Sequence, residues 1–242
     1  MDPLLFTNQV VLITGAGRGI GRALAVAFAA QGACIAANDL NPIGIEQTLV
    51  EVQAAGGRGS EYIFDVAKRL PVQALLDQVL EDWGRVDILI NNAAVEPAAA
   101  ILDMDEWDWH RTLDVNLSGA FFAIQHAGRA MRAQGRGVII NIGASEAYLT
   151  GRPHRAAYAA SKAGLIGLTH YAARELAPYQ IRVLAVCPAA ADTESLRLAK
   201  DYPAVPLPDN LLSLDRITST VLDLCHPNNS LTGEIIDIPL LL

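Results

Sequence analysis

The chain has 242 residues, 52% of them hydrophobic and only 18% charged, which excludes a disordered segment and calls for extensively buried elements. Eighteen Lys and Arg against 26 Asp and Glu leave a formal charge of −8, so no bulk attraction to nucleic acid or to an anionic membrane surface is expected. The length fits one domain covering residues 1–242.

Cys34, Cys187 and Cys225 are odd in number and widely spaced, so neither a disulfide scaffold nor a metal site is expected, and a reducing, cytoplasmic setting fits. The opening MDPLLFTNQ lacks the basic start of a signal peptide. The charge-free stretch 23–38 is broken by Gln31-Gly32 and is too short to cross a bilayer.

In chain order, the first apolar run, 10–14, predicts a strand, and Gly15-Ala16-Gly17-Arg18-Gly19-Ile20-Gly21 follows it. A helix comes next, with Ile20, Leu24, Ala27 and Phe28 on one face. Glycines let a chain turn sharply and let its backbone approach a pyrophosphate, while a helix N-terminus offers free N–H groups and partial positive charge. A purely structural tight turn is the competing reading. The second strand, 33–38, weighs against it, because Asp39 and Leu40 follow directly and Asp39 stands 20 residues beyond Gly19. A carboxylate there accepts hydrogen bonds from ribose hydroxyls and repels a 2′-phosphate. NAD is therefore expected over NADP, although Arg18 beside the turn is a cation that a 2′-phosphate would welcome.

Further strands are predicted at 61–64, 86–90, 138–142, 181–186 and 234–238, and helices at 42–55, 70–82, 107–134, 158–178 and 214–224. Alternating strand and helix, with nearly continuous Val/Ile runs, predicts an α/β fold. Its core is a Rossmann-type doubly wound parallel sheet of about seven strands with helices on both faces. A proline-bearing excursion with Pro203, Pro206 and Pro208 falls within a short candidate lid at about 193–212.

A second constellation lies downstream. Tyr158 and Lys162, four residues apart, share a helix face, and a nearby cation lowers a phenol's pKa toward a value useful for moving an alcohol proton. Taken alone, that spacing is more often amphipathic packing. Ser145, 13 residues before Tyr158, follows a strand end where ligands of such sheets bind. Asn91-Asn92-Ala93-Ala94 follows another, and Asn116 is a polar amide among Val115, Leu117, Phe121 and Phe122, where a satisfied core amide is the plain alternative. Glu96, Ala144, Glu146, Tyr148, His154 and Pro188 are candidate walls of a substrate pocket, with solvent-exposed roles as the alternative for Glu146 and His154.

Together these residues resemble the short-chain dehydrogenase/reductase family over nearly the whole chain. The matching pieces are Thr14-Gly15-x-x-x-Gly19-x-Gly21, Asp65, Asn91-Asn92-Ala93, Asn116, Ser145, Tyr158-x-x-x-Lys162, and Pro188 with Thr193 five residues on. The resemblance implies an oxidoreductase that passes hydride between a nicotinamide cofactor and a secondary alcohol or ketone. It implies Tyr158 as general acid/base, Lys162 holding the nicotinamide ribose and lowering the Tyr pKa, Ser145 orienting the substrate oxygen, and Asn116 holding a relay water. It also implies that Asp65 and Val66 meet the adenine, that Asn91 and Ala93 line the cofactor, that Thr193 holds the carboxamide, and that the protein is a homotetramer or homodimer. Ala94 and Ala189 stand where the family usually has glycine, and Ala185 where an Asn is common; crowding or a shifted nicotinamide loop is the expectation. Alternatives are a 3-oxoacyl-thioester reductase, for which Arg129, Arg132 and Arg136 form a local basic patch, and a non-catalytic dinucleotide-binding regulatory protein.

Overall fold

The computed structural model describes residues 4–145, 153–191, 193 and 211–240. Strands β1 (Val10–Thr14), β2 (Cys34–Asn38), β3 (Arg58–Tyr62), β4 (Ile88–Asn91), β5 (Gly137–Ile142), β6 (Ile181–Pro188) and β7 (Ile235–Ile238) form one parallel sheet in the order β3-β2-β1-β4-β5-β6-β7. The chain reverses its winding between β1 and β4, and this opens a crevice at the carboxyl ends of those two strands.

Alternate side chains of each strand feed opposite faces. Val11 and Ile13 join a core with α1 (Gly19–Ala30), α2 (Pro42–Ala54) and a late helix at Leu214–Cys225. Val10 and Leu12 join a second core with α3 (Arg69–Trp83), α5 (Gly119–Gln134) and α6 (Ala156–Leu176). The short α4 (Glu106–Leu113) precedes α5, and the late helix is α7. Strands covered on both faces explain why they read as apolar runs without alternation.

Two expectations need correction. The strand expected at 61–64 lies at Arg58–Tyr62. It is the sheet's edge and pairs only with β2, so its outer residues are polar and half exposed, while the apolar Ile63-Phe64 runs on past the ladder. The helix expected at 107–134 is interrupted by a wide π-turn, Asp114–Ser118, between α4 and α5. Such a turn re-aims side chains and recurs at functional sites; here it carries Asn116. Residues 194–210, most of the candidate lid, lie outside the described residues, as do Glu146 and Tyr148.

Candidate active site

The glycine-rich turn leaves β1 with Gly15 at φ 65°, an angle side chains resist, and a Cβ on Gly15 would stand 2.8 Å from the Cα of Ala93. The turns after β1 and β4 therefore touch through bare backbone. Gly21 is held as closely, since a Cβ there would collide with the Gly15 carbonyl. Thr14 and Asn92 stitch the two turns: Thr14 Oγ1 accepts from the backbone N–H of Asn92 and Ala93, both at 3.1 Å. Asn92 Nδ2 donates to the carbonyls of Thr14 and Gly15 at 3.0 and 2.9 Å.

From behind, Arg22 Nη2 donates to Gly17 O at 2.5 Å and its Nε donates to Thr48 Oγ1 at 3.2 Å, while Thr48 Oγ1 donates to Ala16 O at 2.8 Å. Asp39 Oδ2 accepts from Gly17 N at 3.0 Å, which puts the carboxylate against the turn. Leu40 beside it is 51% exposed, and Arg18 is exposed and makes no ion pair among the described residues. Ile20 packs against the core, and Thr193 lies against Gly19. Asp65 accepts from Ala67 N at 3.0 Å and lies 3.7 Å from Arg111, and Val66 is buried next to it.

The catalytic candidates converge across the same crevice. Lys162 is buried on α6, and its Nζ donates to Ile142 O at 2.7 Å and lies 5.5 Å from the centre of the Tyr158 ring. Burial lowers the Lys162 pKa to about 8, against the opposing pull of Cys187 and Glu96. Tyr158 is half-buried, and Ser145 is buried at the end of β5 with its N–H donating to Pro188 O at 3.0 Å.

Asn116 is spoken for on both ends. Its Oδ1 accepts from Val95 N at 2.8 Å, and its Nδ2 donates to Val95 O at 2.9 Å and to Ser161 Oγ at 3.0 Å. It thus clamps the loop after β4 to α6, where Ser161 Oγ donates to Tyr158 O at 2.7 Å. A cavity of about 10 Å³, room for one water, is lined by Thr14, Val66, Asn91, Ala93, Asn116 and Lys162 among others. Beneath it a buried polar chain runs from Asn91 Nδ2 to Asn141 Oδ1 at 2.8 Å and from Asn141 Nδ2 to Thr169 Oγ1 at 2.9 Å, joining β4, β5 and α6.

Ala94 is exposed and Ala189 is buried, and neither has a left-handed backbone angle, so alanine fits both positions without strain. The expected crowding at Ala94 is absent because its methyl group faces solvent. His154 is exposed with φ 64°, and the side chain that enters the interior at this point is its neighbour Arg155, 8% exposed and ion-paired to Glu96. Sequence reading passed over Arg155, Ser161, Asn141, Thr48 and Arg22. None of these carried a local signal; Arg155 is the N-cap residue of α6, and its burial rests on contact with the distant Glu96.

A fold wound this way, with a glycine-rich turn after the first strand and a buried Lys beside a Tyr at the same sheet edge, is the architecture of the Rossmann-type dinucleotide-dependent oxidoreductases. The family model for short chain dehydrogenase matches residues 9–202, and the chain belongs to that family. It is 41% identical over 198 residues to D-threitol dehydrogenase of Mycolicibacterium smegmatis, covering 81% of this chain and 75% of that protein. It is 37% identical over 186 residues to the 3-oxoacyl-[acyl-carrier-protein] reductase FabG of Thermotoga maritima, covering 77% and 75%. A solved structure of NAD+-bound xylitol dehydrogenase superposes with a TM-score of 0.87 at 31% identity, covering 96% of this chain and 98% of that one. Among the described residues no helix is long and apolar enough to cross a membrane.

Proposed function

We propose that this protein is an NAD-dependent dehydrogenase of a secondary alcohol, working reversibly on the corresponding ketone. The observation that carries the proposal is the buried Lys162 ammonium, 5.5 Å from the Tyr158 ring and bordering the same one-water cavity as Asn116.

The residues fit a dinucleotide. The turn Gly15–Gly21 offers backbone without Cβ atoms in the way, and Asp39 holds an acceptor where an adenosine ribose would lie. Asp65 and Val66 would border the adenine, Asn91 and Ala93 the cofactor's middle, and Pro188 and Thr193 the nicotinamide carboxamide. The nicotinamide supplies the hydride acceptor for alcohol oxidation and the hydride donor for ketone reduction.

The chain's own groups handle the proton. Lys162 favours the charged form of Tyr158, and the phenolate takes the proton from the substrate hydroxyl as the carbon–hydrogen bond breaks. Ser145 donates a hydrogen bond to the substrate oxygen and steadies its developing charge. The proton then leaves toward Lys162 and a water in the adjoining cavity, beside the amide of Asn116. Asn116 spends its amide on Val95 and Ser161, so its main contribution is to hold the loop after β4 and α6 in register around that cavity.

NAD is favoured over NADP because the Asp39 carboxylate lies against the turn, where it would repel a 2′-phosphate. The solved neighbour xylitol dehydrogenase is NAD+-bound, which supports this direction. Acyl-carrier substrates are less well served. Arg132 stacks over Tyr179 at 5.4 Å and Arg136 lies 3.9 Å from Asp87, so the basic patch is partly engaged within the protein. A homotetramer or homodimer in the cytoplasm completes the proposal.

The test follows NADH absorbance with a panel of secondary alcohols and ketones, alongside direct measurement of NAD and NADP binding. Turnover with NAD that Tyr158→Phe abolishes, with NAD binding retained, is the expected result. NAD binding without turnover across the panel, or a strong NADPH preference, contradicts it.

A further inference from the structure

The loop after β4 and the start of α6 are joined by a costly contact. Arg155 is 8% exposed, and its Nε lies 2.8 Å from Glu96 Oε1. The approach makes an ion pair without an aligned hydrogen bond, and Nε and Nη1 are buried with no hydrogen-bond partner among the described residues. Withdrawing a guanidinium from water with donors unsatisfied opposes folding, and apolar residues of similar volume would serve stability as well or better. The backbone is strained at the same point: His154 has φ 64°, and its carbonyl accepts from Ala99 N at 3.1 Å, which ties the two segments a second time. Strain and unsatisfied burial side by side are retained where they position something.

The two partners differ in access. The Arg155 side chain is 8% exposed and that of Glu96 is 25% exposed, so the guanidinium stands behind and the carboxylate in front. Glu96 also lies within electrostatic reach of Lys162, whose charged form it favours. Arg155 is the N-cap residue of α6, three positions before Tyr158, and Glu96 follows Val95, whose N–H and carbonyl are both bound by Asn116. These relations place the carboxylate at the margin of the crevice that holds Tyr158 and Lys162.

We propose that Glu96, held in place by Arg155, is a specificity-determining acceptor for a second hydroxyl of the substrate, so that diols and polyols are preferred over alcohols with one hydroxyl. This rests on the alcohol-oxidising reading above. A hydroxyl donates to a carboxylate directly. A carboxylate or phosphate substituent is repelled by Glu96, an ammonium meets Arg155 and Lys162 close by, and an apolar chain would strip water from Glu96 without replacing its hydrogen bonds.

Butan-2-ol and butane-2,3-diol differ by one hydroxyl and make the test. A site built to bind a hydroxyl rejects the analogue that lacks it, so the wild-type ratio of kcat/KM, diol over mono-alcohol, is expected to be about 30 or more. In the double variant Glu96→Leu with Arg155→Met, apolar side chains replace the pair, and the ratio falls to near one, chiefly through the KM for the diol. Glu96→Gln keeps an acceptor oxygen without the charge and guards against misfolding of the double variant; its ratio is expected to lie between the two.

A ratio unchanged in both variants, with the two substrates slowing together, makes the pair structural and overturns the inference. A wild-type enzyme that turns over both alcohols without preference also overturns it, while leaving alcohol oxidation intact. An enzyme that binds NAD and turns over neither removes the underlying reading, and the inference with it.

Discussion

The glycine-rich turn and the catalytic crevice sit at the same edge of the sheet and are built on opposite rules. At the turn, side chains are excluded: a Cβ on Gly15 or Gly21 would enter the Ala93 backbone or the Gly15 carbonyl. In the crevice, side chains do the work and every buried amide is matched, Asn116 to Val95 and Ser161, Asn91 to Asn141, Asn141 to Thr169. One region tolerates no added atoms. In the other, the exception among the described residues is Arg155, whose Nε and Nη1 are buried without a hydrogen-bond partner; away from the crevice, Asn38 Oδ1 and His126 Nε2 are unpaired too. A substitution at the turn is therefore expected to cost binding, and one in the crevice to cost turnover.

The largest effect tests the crevice. Tyr158→Phe removes the proposed proton acceptor and is expected to lower kcat by about 1,000-fold or more, with the NAD dissociation constant little changed in a fluorescence titration. At the turn, Gly21→Ala is expected to weaken NAD binding by about 100-fold, because the new methyl meets the Gly15 carbonyl and the turn must shift. Comparable losses of binding and turnover in both variants would dissolve the contrast.

Asp39→Asn tests the ribose contact. On the proposed reading it removes charge-assisted hydrogen bonding and the repulsion of a 2′-phosphate, so the NAD-over-NADP ratio of kcat/KM is expected to fall by roughly 10- to 100-fold. A smaller effect is expected in the pH profile. Alcohol oxidation is expected to fall at alkaline pH as Lys162, depressed to about 8, loses its proton. Since Glu96 opposes that depression, Glu96→Gln is expected to move the alkaline limb to lower pH, measured as kcat/KM between about pH 6 and 10. The smallest effect falls on Arg22→Met, expected to raise the KM for NAD by about 10-fold with kcat retained, because one of the clamps on the turn is lost.

The strands buried on both faces, the first turn and the Tyr158/Lys162 pair were legible because each leaves a local pattern: an apolar run, clustered glycines, a spacing of four. The edge strand Arg58–Tyr62 was misplaced because its register follows the ladder to Cys34–Asn38 and its own sequence carries no alternation. The π-turn at Asp114–Ser118 was invisible because helical periodicity continues on both sides, and only the reach of Asn116 to Val95 explains it. Arg155 escaped attention because a charged residue in a loop reads as solvated, whereas its burial depends on Glu96, 59 positions earlier. Contacts of that range leave no mark in any short window of sequence.

Arg22 and Thr48 hold the carbonyls of Gly17 and Ala16 from the helix side, and Asn92 holds those of Thr14 and Gly15 from the side of β4. With four carbonyl oxygens anchored, the peptide planes of the turn are already oriented before any dinucleotide arrives. Association then spends little entropy on ordering this receptor, and affinity is set by the ligand's own fit and flexibility rather than by the protein's.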